Sequence, residues 1–181
     1  MNKIIFSFII ILSICLTLLF TPTSHASPYG KGLYGTNVPY GSQTALSIAT
    51  SGDITIPVTP VSGGTLATGT SVVTVTSTDV MGYKLYTRAL GASAMNNLGA
   101  TLPASGNGSP AALATNTWGY NTDASSNFVG LTLTDSLIRS ITVPASTGDV
   151  TTLTYGIMID LTKPAGKYIA TVLYTAVPQT N

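Results

Sequence analysis

Apolar residues alternate with threonine and other small residues along most of the chain beyond its N-terminal region. Such runs lie at 46–49, 54–59, 73–76, 131–134 and 153–161. A period of two places apolar side chains on one face of an extended chain, and β-branched residues are enriched in strands. No stretch shows the 3.6-residue period of an amphipathic helix. The pattern therefore predicts a chain built from half-buried β-strands.

Glycine- and proline-rich breakers separate these runs, among them "PVSGGT", "ASGNGSP" and "PASTGD". Short strands with turns about every eight to twelve residues are typical of antiparallel sandwiches. We therefore expect an all-β fold over residues 43–181, an antiparallel β-sandwich of Ig-like or fimbrial-like type in one domain. The segment "DSLIRSI" (135–141) is expected to be a loop that leads into a strand.

The C-terminal region predicts a β-hairpin, because residues 163–166 read Lys-Pro-Ala-Gly and place Pro and Gly where a type I turn favours them. One face of the strand that follows is formed by Tyr168, Val172, Tyr174 and Ala176. The other face carries Ile169, Leu173 and Val177. An edge strand that is apolar on both faces invites aggregation. We therefore expect this strand to lie inside its sheet or to be covered by a partner.

Residues 1–26 have the three-part layout of a secretory signal peptide. A basic Lys3 precedes an apolar run, Ile4 to Phe20, and small residues Ser24 and Ala26 precede the expected cut. The alternative is a permanent membrane anchor, since this run lies at the lower length limit of a membrane span. We expect cleavage after Ala26, which predicts a secreted or cell-surface protein without a transmembrane anchor.

Cleavage would remove His25 and Cys15, the only histidine and cysteine, and the chain has no glutamate. Histidine is the commonest general base, and zinc sites use histidine and cysteine. We therefore expect no enzymatic activity, no cofactor and no metal site. Hydrolysis by paired aspartates is the remaining catalytic alternative, although most aspartates lie beside turn signals. The near balance of 7 basic and 6 acidic side chains lacks the basic excess of a nucleic-acid-binding protein.

Residues 27–42 repeat a Tyr-Gly pair at Tyr29, Tyr34 and Tyr40. Glycine keeps the backbone loose, while tyrosine offers a flat amphipathic contact area. Three alternatives are an unstructured tail, a surface tether, and an arm that packs along another copy of the protein.

The only tryptophan lies in "NTWGYNTD", residues 116–123. On a strand, Trp118 and Tyr120 point to the same face. They either fill the core between two sheets or form an exposed platform for sugar rings, with Asp123 as a third candidate ligand-binding residue. The oxygen-bearing residues between 121 and 127 faintly resemble a calcium loop, but Ser126 and Thr132 stand where glycine and an acidic residue are needed. A polar loop is therefore expected.

Three phrases, "SVVTVTSTDVMGYKLYTRA" (71–89), "ANTWGYNTD" and "TYGIMIDLTKPAGKYIATVLYTAV" (154–177), resemble secreted cell-surface modules common in reduced-genome, candidate-phyla bacteria. The resemblance covers residues 43–178 and implies a β-sandwich at the cell surface, with no catalytic residues to carry over. The closing strand is also similar to that of WxL wall-binding domains. Here the tryptophan stands in Trp-Gly-Tyr rather than Trp-x-Leu.

These features predict a secreted, non-enzymatic surface protein, adhesive or structural, whose partners are itself or other surface proteins. The alternative is a carbohydrate- or cell-wall-binding module that uses Trp118 and Tyr120 to hold wall glycan. Nucleic acid is not an expected partner. The candidate assembly residues are Tyr29, Tyr34, Tyr40, Ile169, Leu173 and Val177.

Overall fold

The structure is a computed structural model that describes residues 45–78 and 80–179. Within these ranges the strands are β1 (Ala45–Thr50), β2 (Thr65–Thr78), β3 (Gly82–Ala89), β4 (Met95–Asn97), β5 (Ala100–Leu102), β6 (Thr117–Asn121), β7 (Ser136–Ile141), β8 (Asp149–Ile159) and β9 (Val172–Gln179). The expected signal peptide and Tyr-Gly arm lie outside the described residues. Among the described residues there is no helix long and apolar enough to cross a bilayer.

The strands form a four-stranded sheet in the order β1-β2-β8-β6, a three-stranded sheet in the order β7-β3-β9, and the small β4-β5 hairpin. Every pairing of these strands is antiparallel. The prediction of an all-β chain with antiparallel sheets is confirmed. The arrangement is compatible with a β-sandwich.

One core joins the two larger sheets. The four-stranded sheet contributes its fully buried β2 and β8 side chains, and the three-stranded sheet contributes those of β3. They are Val73, Val75, Leu153, Tyr83 and Leu85. Burying a side chain of this size stabilises the fold by about 1.5–3 kcal/mol. The period of two in the sequence is therefore the signal of this core.

Three of the predicted runs, 46–49, 73–76 and 153–161, fall on β1, β2 and β8, although β8 ends at Ile159. The expectation of a loop at 135–141 is wrong, because Ser136–Ile141 form strand β7 itself. The strand predictions for 54–59 and 131–134 are wrong, because neither segment joins a ladder.

Local chemistry explains the two missing strands. In the first, Pro57 has no N–H to donate to a ladder. In the second, the Thr132 hydroxyl lies 2.9 Å from the carbonyl oxygen of Thr134 and donates to it. Leu131 is buried while Leu133 is 53% exposed, so the alternation survives in burial without strand pairing.

The predicted C-terminal hairpin is wrong, because β8 and β9 belong to different sheets. Asp160 ends β8: its Oδ1 accepts hydrogen bonds from the Asn116 Nδ2 and the Thr162 N–H, both at 2.9 Å. The connection then packs on the β4-β5 hairpin. Lys163 Nζ donates to the Thr101 carbonyl at 2.8 Å, and Ile169 exchanges two backbone hydrogen bonds with Asn96 at 3.0 Å.

Candidate functional site

Strand β9 lies at an edge of the described three-stranded sheet and pairs there with β3. The prediction that it lies inside its sheet is therefore wrong for the described part of the chain. Its inward face is as predicted: Tyr168, Val172, Tyr174 and Ala176 pack against the core. A partner that covers the strand is the alternative that remains.

Three apolar side chains form what we call the outer row: Leu173 and Val177 on the outward face of β9, and Ile169 in the segment just before this strand. Ile169 is 55% exposed and Val177 is 43% exposed, while Leu173 is half-buried. The antiparallel register places Leu173 opposite Arg88 and Val177 opposite Lys84 on β3. The outer row is thus an apolar stripe bordered by two cationic side chains.

Trp118 and Tyr120 are both buried, with exposed fractions of 1% and 5%. Both rings are tilted against Tyr155, with centroid distances of 6.3 Å and 6.4 Å. The indole Nε1 donates to the Ser93 carbonyl at 3.0 Å. These contacts favour the core-filling alternative, and the two rings form no exposed platform.

The Gly between the two rings has a packing role. A Cβ at Gly119 would lie 2.4 Å from the carbonyl oxygen of Val129. That contact exists because Tyr120 and Val129 exchange two backbone hydrogen bonds of 2.9 Å. On the neighbouring strand, the Phe128 ring occupies the position of a Cβ at Gly156, 2.6 Å away. The Trp-Gly-Tyr sequence therefore buries two rings on one face of β6 and admits a loop on the other.

Tyr155 also links the two sheets. Its hydroxyl and that of Tyr174 on β9 lie 2.5 Å apart and share a hydrogen bond. Burial raises the pKa of Tyr155, and burial also raises the pKa of Tyr120. Both hydroxyls therefore stay neutral at physiological pH and serve as hydrogen-bonding groups rather than as charges.

Asp123 lies in an exposed turn, where its Oδ1 accepts a hydrogen bond from the Ser125 N–H at 3.1 Å. That backbone hydrogen bond is the main cause of a lowered pKa for the Asp123 carboxyl. The Asn121 Nδ2 donates to the carbonyl oxygens of Ser125 and Asn127 at 2.9 Å. The turn thus uses its polar groups to hydrogen-bond its own backbone, as expected for a polar loop.

Across residues 45–78 and 80–179, no three His, Cys, Asp or Glu side chains gather as metal ligands would.

A charged network between the sheets was not foreseen from the sequence. Asp149 accepts a 2.6 Å hydrogen bond from the Tyr83 hydroxyl and two from the Arg139 guanidinium, at 2.9 Å and 2.8 Å. The guanidinium lowers the pKa of the Asp149 carboxyl, and burial raises the pKa of Tyr83 to about 12. No local signal could reveal it, because 66 residues separate Tyr83 from Asp149.

A groove of about 930 Å³ opens beside the start of β9 and is the second feature that the sequence did not reveal. Two segments, residues 52–58 and residues 166–172, supply most of its lining, and we call them its walls. Its floor includes Trp118, Tyr155 and Ile157. Ile169, the first residue of the outer row, lines the groove as well, so the two surfaces adjoin.

The groove therefore collects aromatic and aliphatic side chains, whereas the exposed Asp123 turn does not line it. Tyr29, Tyr34 and Tyr40 lie outside the described residues.

Comparison of the chain with protein-family models, with curated proteins and with solved structures found no match in any of the three.

Proposed function

We propose that this chain is a secreted, non-enzymatic cell-surface protein, adhesive or structural, whose copies assemble through the β9 edge and the outer row. The observation that carries the proposal is an edge strand, β9, that exposes Val177 at 43% and is preceded by Ile169, which is 55% exposed. Export and surface location rest on the expected signal peptide. Ig-like or fimbrial-like topology is proposed on the same sequence pattern.

The β9 edge lacks the usual protection against strand addition. Natural edge strands are shielded by charged side chains, prolines or bulges. The sequence of β9, "VLYTAVPQ", contains no charged residue, and its proline, Pro178, stands next to the end of the strand. Backbone N–H and C=O groups at such an edge can pair with another chain, and pockets for alternate side chains add specificity.

The composition supports association for an electrostatic reason. Charged residues make up 7% of the chain and the formal net charge is +1. Copies therefore repel one another weakly, whereas soluble monomers usually carry a net charge far from zero. Apolar surface that leaves water stabilises a contact by about 25 cal/mol per Å².

The proposal is tested with the full chain, exported and processed by its host. Light scattering over a concentration series should show a rise in mass that is lost when Ile169→Lys and Val177→Lys are combined. Val143→Lys is the matched control, because Val143 is 62% exposed and lies off β9. An identical mass for the double variant and the Val143→Lys control at every concentration would contradict the β9 contact.

Separation of producing cells into medium, wall and membrane fractions tests the location of the protein.

A second candidate function is the binding of wall glycan. The observation that favours it is the groove, because the half-buried aromatic side chains of Tyr168 and Tyr174 line it and aromatic rings can stack on sugar rings. A glycan array probed with the exported protein tests this function. Retention on wall polysaccharide by the monomer would support it, while an empty array would exclude the glycans displayed.

A further inference from the structure

We propose that the groove receives residues 27–42 from a second copy of the chain, which add as a β-strand to the wall formed by residues 53–58. The inference deepens the proposed function and rests on it, because it names the contact by which one copy holds the next. Four observations lead to it: an unpaired strand-like segment, an apolar groove beside that segment, the composition of the arm, and the direction in which the chain leaves β1.

Residues 53–58 alternate as a strand does but have no partner among the described residues. Ile56 and Val58 are half-buried, while Thr55 and Pro57 are exposed. Ile56 packs on β2, where a Cβ at Gly69 would lie 2.8 Å from its Cγ1. Between residues 52 and 60, no backbone hydrogen bond to another described backbone group is formed. The segment is therefore held against the sheet by its side chains. Its C=O groups stay available to pair with another chain, and so do its N–H groups except at Pro57, which has none.

The groove beside this segment suits aromatic side chains. Ile54 and Ile169 stand on its two walls, with exposed fractions of 38% and 55%. Its volume of about 930 Å³ falls within the range of sites that enclose small ligands or several side chains. Tyr168, which lines the groove and is half-buried, offers a ring contact to a tyrosine that enters, whereas Trp118 and Tyr155 are only 1% and 4% exposed.

The arm offers aromatic side chains and little charge to this groove, and six of its sixteen residues are glycine or proline. Residues 27–42 contain three tyrosines and one charged residue, Lys31. The groove is lined by one acidic residue, Asp53, and one basic residue, Lys167, so its charge is balanced. In an extended chain Tyr34 and Tyr40 point to the same face and lie about 20 Å apart, whereas Tyr29 points to the opposite face. Residues 34–40 and residues 52–58 are both seven-residue stretches, so the two have about the same length when extended.

The direction of β1 favours a second copy over the same one. β1 begins at Ala45, opposite Thr78, and ends at Thr50 beside the groove. Ala45, the first described residue, therefore lies at the end of β1 away from the groove. To fill its own groove, the arm would have to reverse and run back about 17 Å along β1. A copy stacked end to end supplies its arm without this reversal, and such a head-to-tail contact generates open fibres.

The test uses the full exported chain and two matched pairs of variants. On the arm, the double variant Tyr34→Ser/Tyr40→Ser is compared with Tyr29→Ser. On the groove, Ile54→Asp is compared with Val143→Asp, and circular dichroism confirms that each variant folds. Sedimentation velocity measures association, and amide hydrogen exchange measures protection of residues 53–58. The double variant and Ile54→Asp should each weaken association by roughly tenfold or more, as expected when a buried anchor is lost. Tyr29→Ser and Val143→Asp should leave it unchanged.

Hydrogen exchange distinguishes the possible occupants. In the wild-type protein, residues 53–58 should exchange slowly in the assembled state and rapidly on dilution to monomer. Slow exchange in the monomer, lost in the double variant, would overturn the proposal in favour of the chain's own arm. Assembly that persists in the double variant and in Ile54→Asp would overturn the groove contact but leave the β9 contact standing. A wild-type protein that stays monomeric at every concentration would instead refute the proposed assembly itself.

Discussion

The Tyr83 hydroxyl donates a 2.6 Å hydrogen bond to the Asp149 carboxylate and thereby joins β3 of one sheet to β8 of the other. Tyr83 is fully buried, and Asp149 is held in place by the two hydrogen bonds from Arg139. A carboxylate that is positioned by a guanidinium is a strong and well-directed acceptor. The contact fixes how the two sheets meet at this end of the core.

Replacement of Tyr83 by Phe should lower the free energy of unfolding by about 1.5–3 kcal/mol, the usual range for a hydrogen bond to a charged group. The ring still fills its site, so the loss reports the hydroxyl. Urea denaturation followed by circular dichroism measures it. Tyr86→Phe is the control on the same strand, because the Tyr86 side chain is half-buried and faces outward. Equal losses in the two variants would show that the hydrogen bond to Asp149 contributes no more to the free energy of unfolding than the Tyr86 hydroxyl does.

The same network predicts a loss of stability in acid. Arg139 lowers the pKa of the Asp149 carboxyl below its ordinary value of 3.8 in the folded state. The stabilisation is therefore complete above the unfolded pKa and disappears as the pH falls through the folded value. Unfolding free energy measured from pH 6 to pH 2 should drop more steeply in the wild type than in Asp149→Asn. Parallel curves would assign the acid sensitivity to other carboxylates.

Alternation in the sequence predicted two of the strands that supply the core, β2 and β8, but neither β3, which contributes Tyr83 and Leu85, nor the way the strands are connected. Alternation identified β1, β2 and β8 because burial on one face imposes a period of two. It failed at 54–59, where the same alternation accompanies side-chain packing without a ladder. Periodicity reports which side chains are buried, whereas strand pairing also needs a partner backbone and free N–H groups.

The long-range features could not be predicted for a related reason. The segment 163–166 has the chemistry of a tight turn, yet Asp160 and Asn116 redirect the chain between sheets. Such a contact joins residues 44 apart in the sequence, so no local pattern contains it. The edge position of β9 and the groove depend on the order of strands in both sheets, which one sequence does not specify.

The fluorescence of Trp118 should show that this side chain lies in a rigid core from which water is excluded. Its exposed fraction is 1%, and Nε1 is hydrogen-bonded to the Ser93 carbonyl. We expect the fluorescence maximum of this single tryptophan to be shifted to the blue and acrylamide to quench it weakly. Trp118→Ala should lower the free energy of unfolding by about 3–5 kcal/mol, as in other large-to-small core changes. Strong quenching in the wild type would instead indicate an accessible ring.

Thr87 offers a stabilising substitution. Its side chain is buried, and Oγ1 has no hydrogen-bond partner among the described residues. A buried hydroxyl without a partner costs about 1–3 kcal/mol, so Thr87→Val, which keeps the shape, should raise the free energy of unfolding by about 1 kcal/mol. Thr68→Val, at an exposed position on β2, serves as the control for the change of residue type. A lower thermal midpoint for Thr87→Val would point to a bound water that satisfies the hydroxyl.

Gly119 separates the two buried rings of β6 and tests the packing of the loop on this strand. A Cβ at this position would lie 2.4 Å from the Val129 carbonyl oxygen, which is backbone and cannot rotate away. Gly119→Ala should therefore disrupt the paired hydrogen bonds between Tyr120 and Val129 and lower the free energy of unfolding by about 1–3 kcal/mol. Gly106→Ala is the matched control, because a Cβ there would meet no atom within 4 Å. Hydrogen exchange at the Tyr120 and Val129 amides should accelerate in Gly119→Ala alone. If both variants were equally stable, the loop would have to move away from β6 without loss, and the Trp-Gly-Tyr spacing would not be explained by this contact.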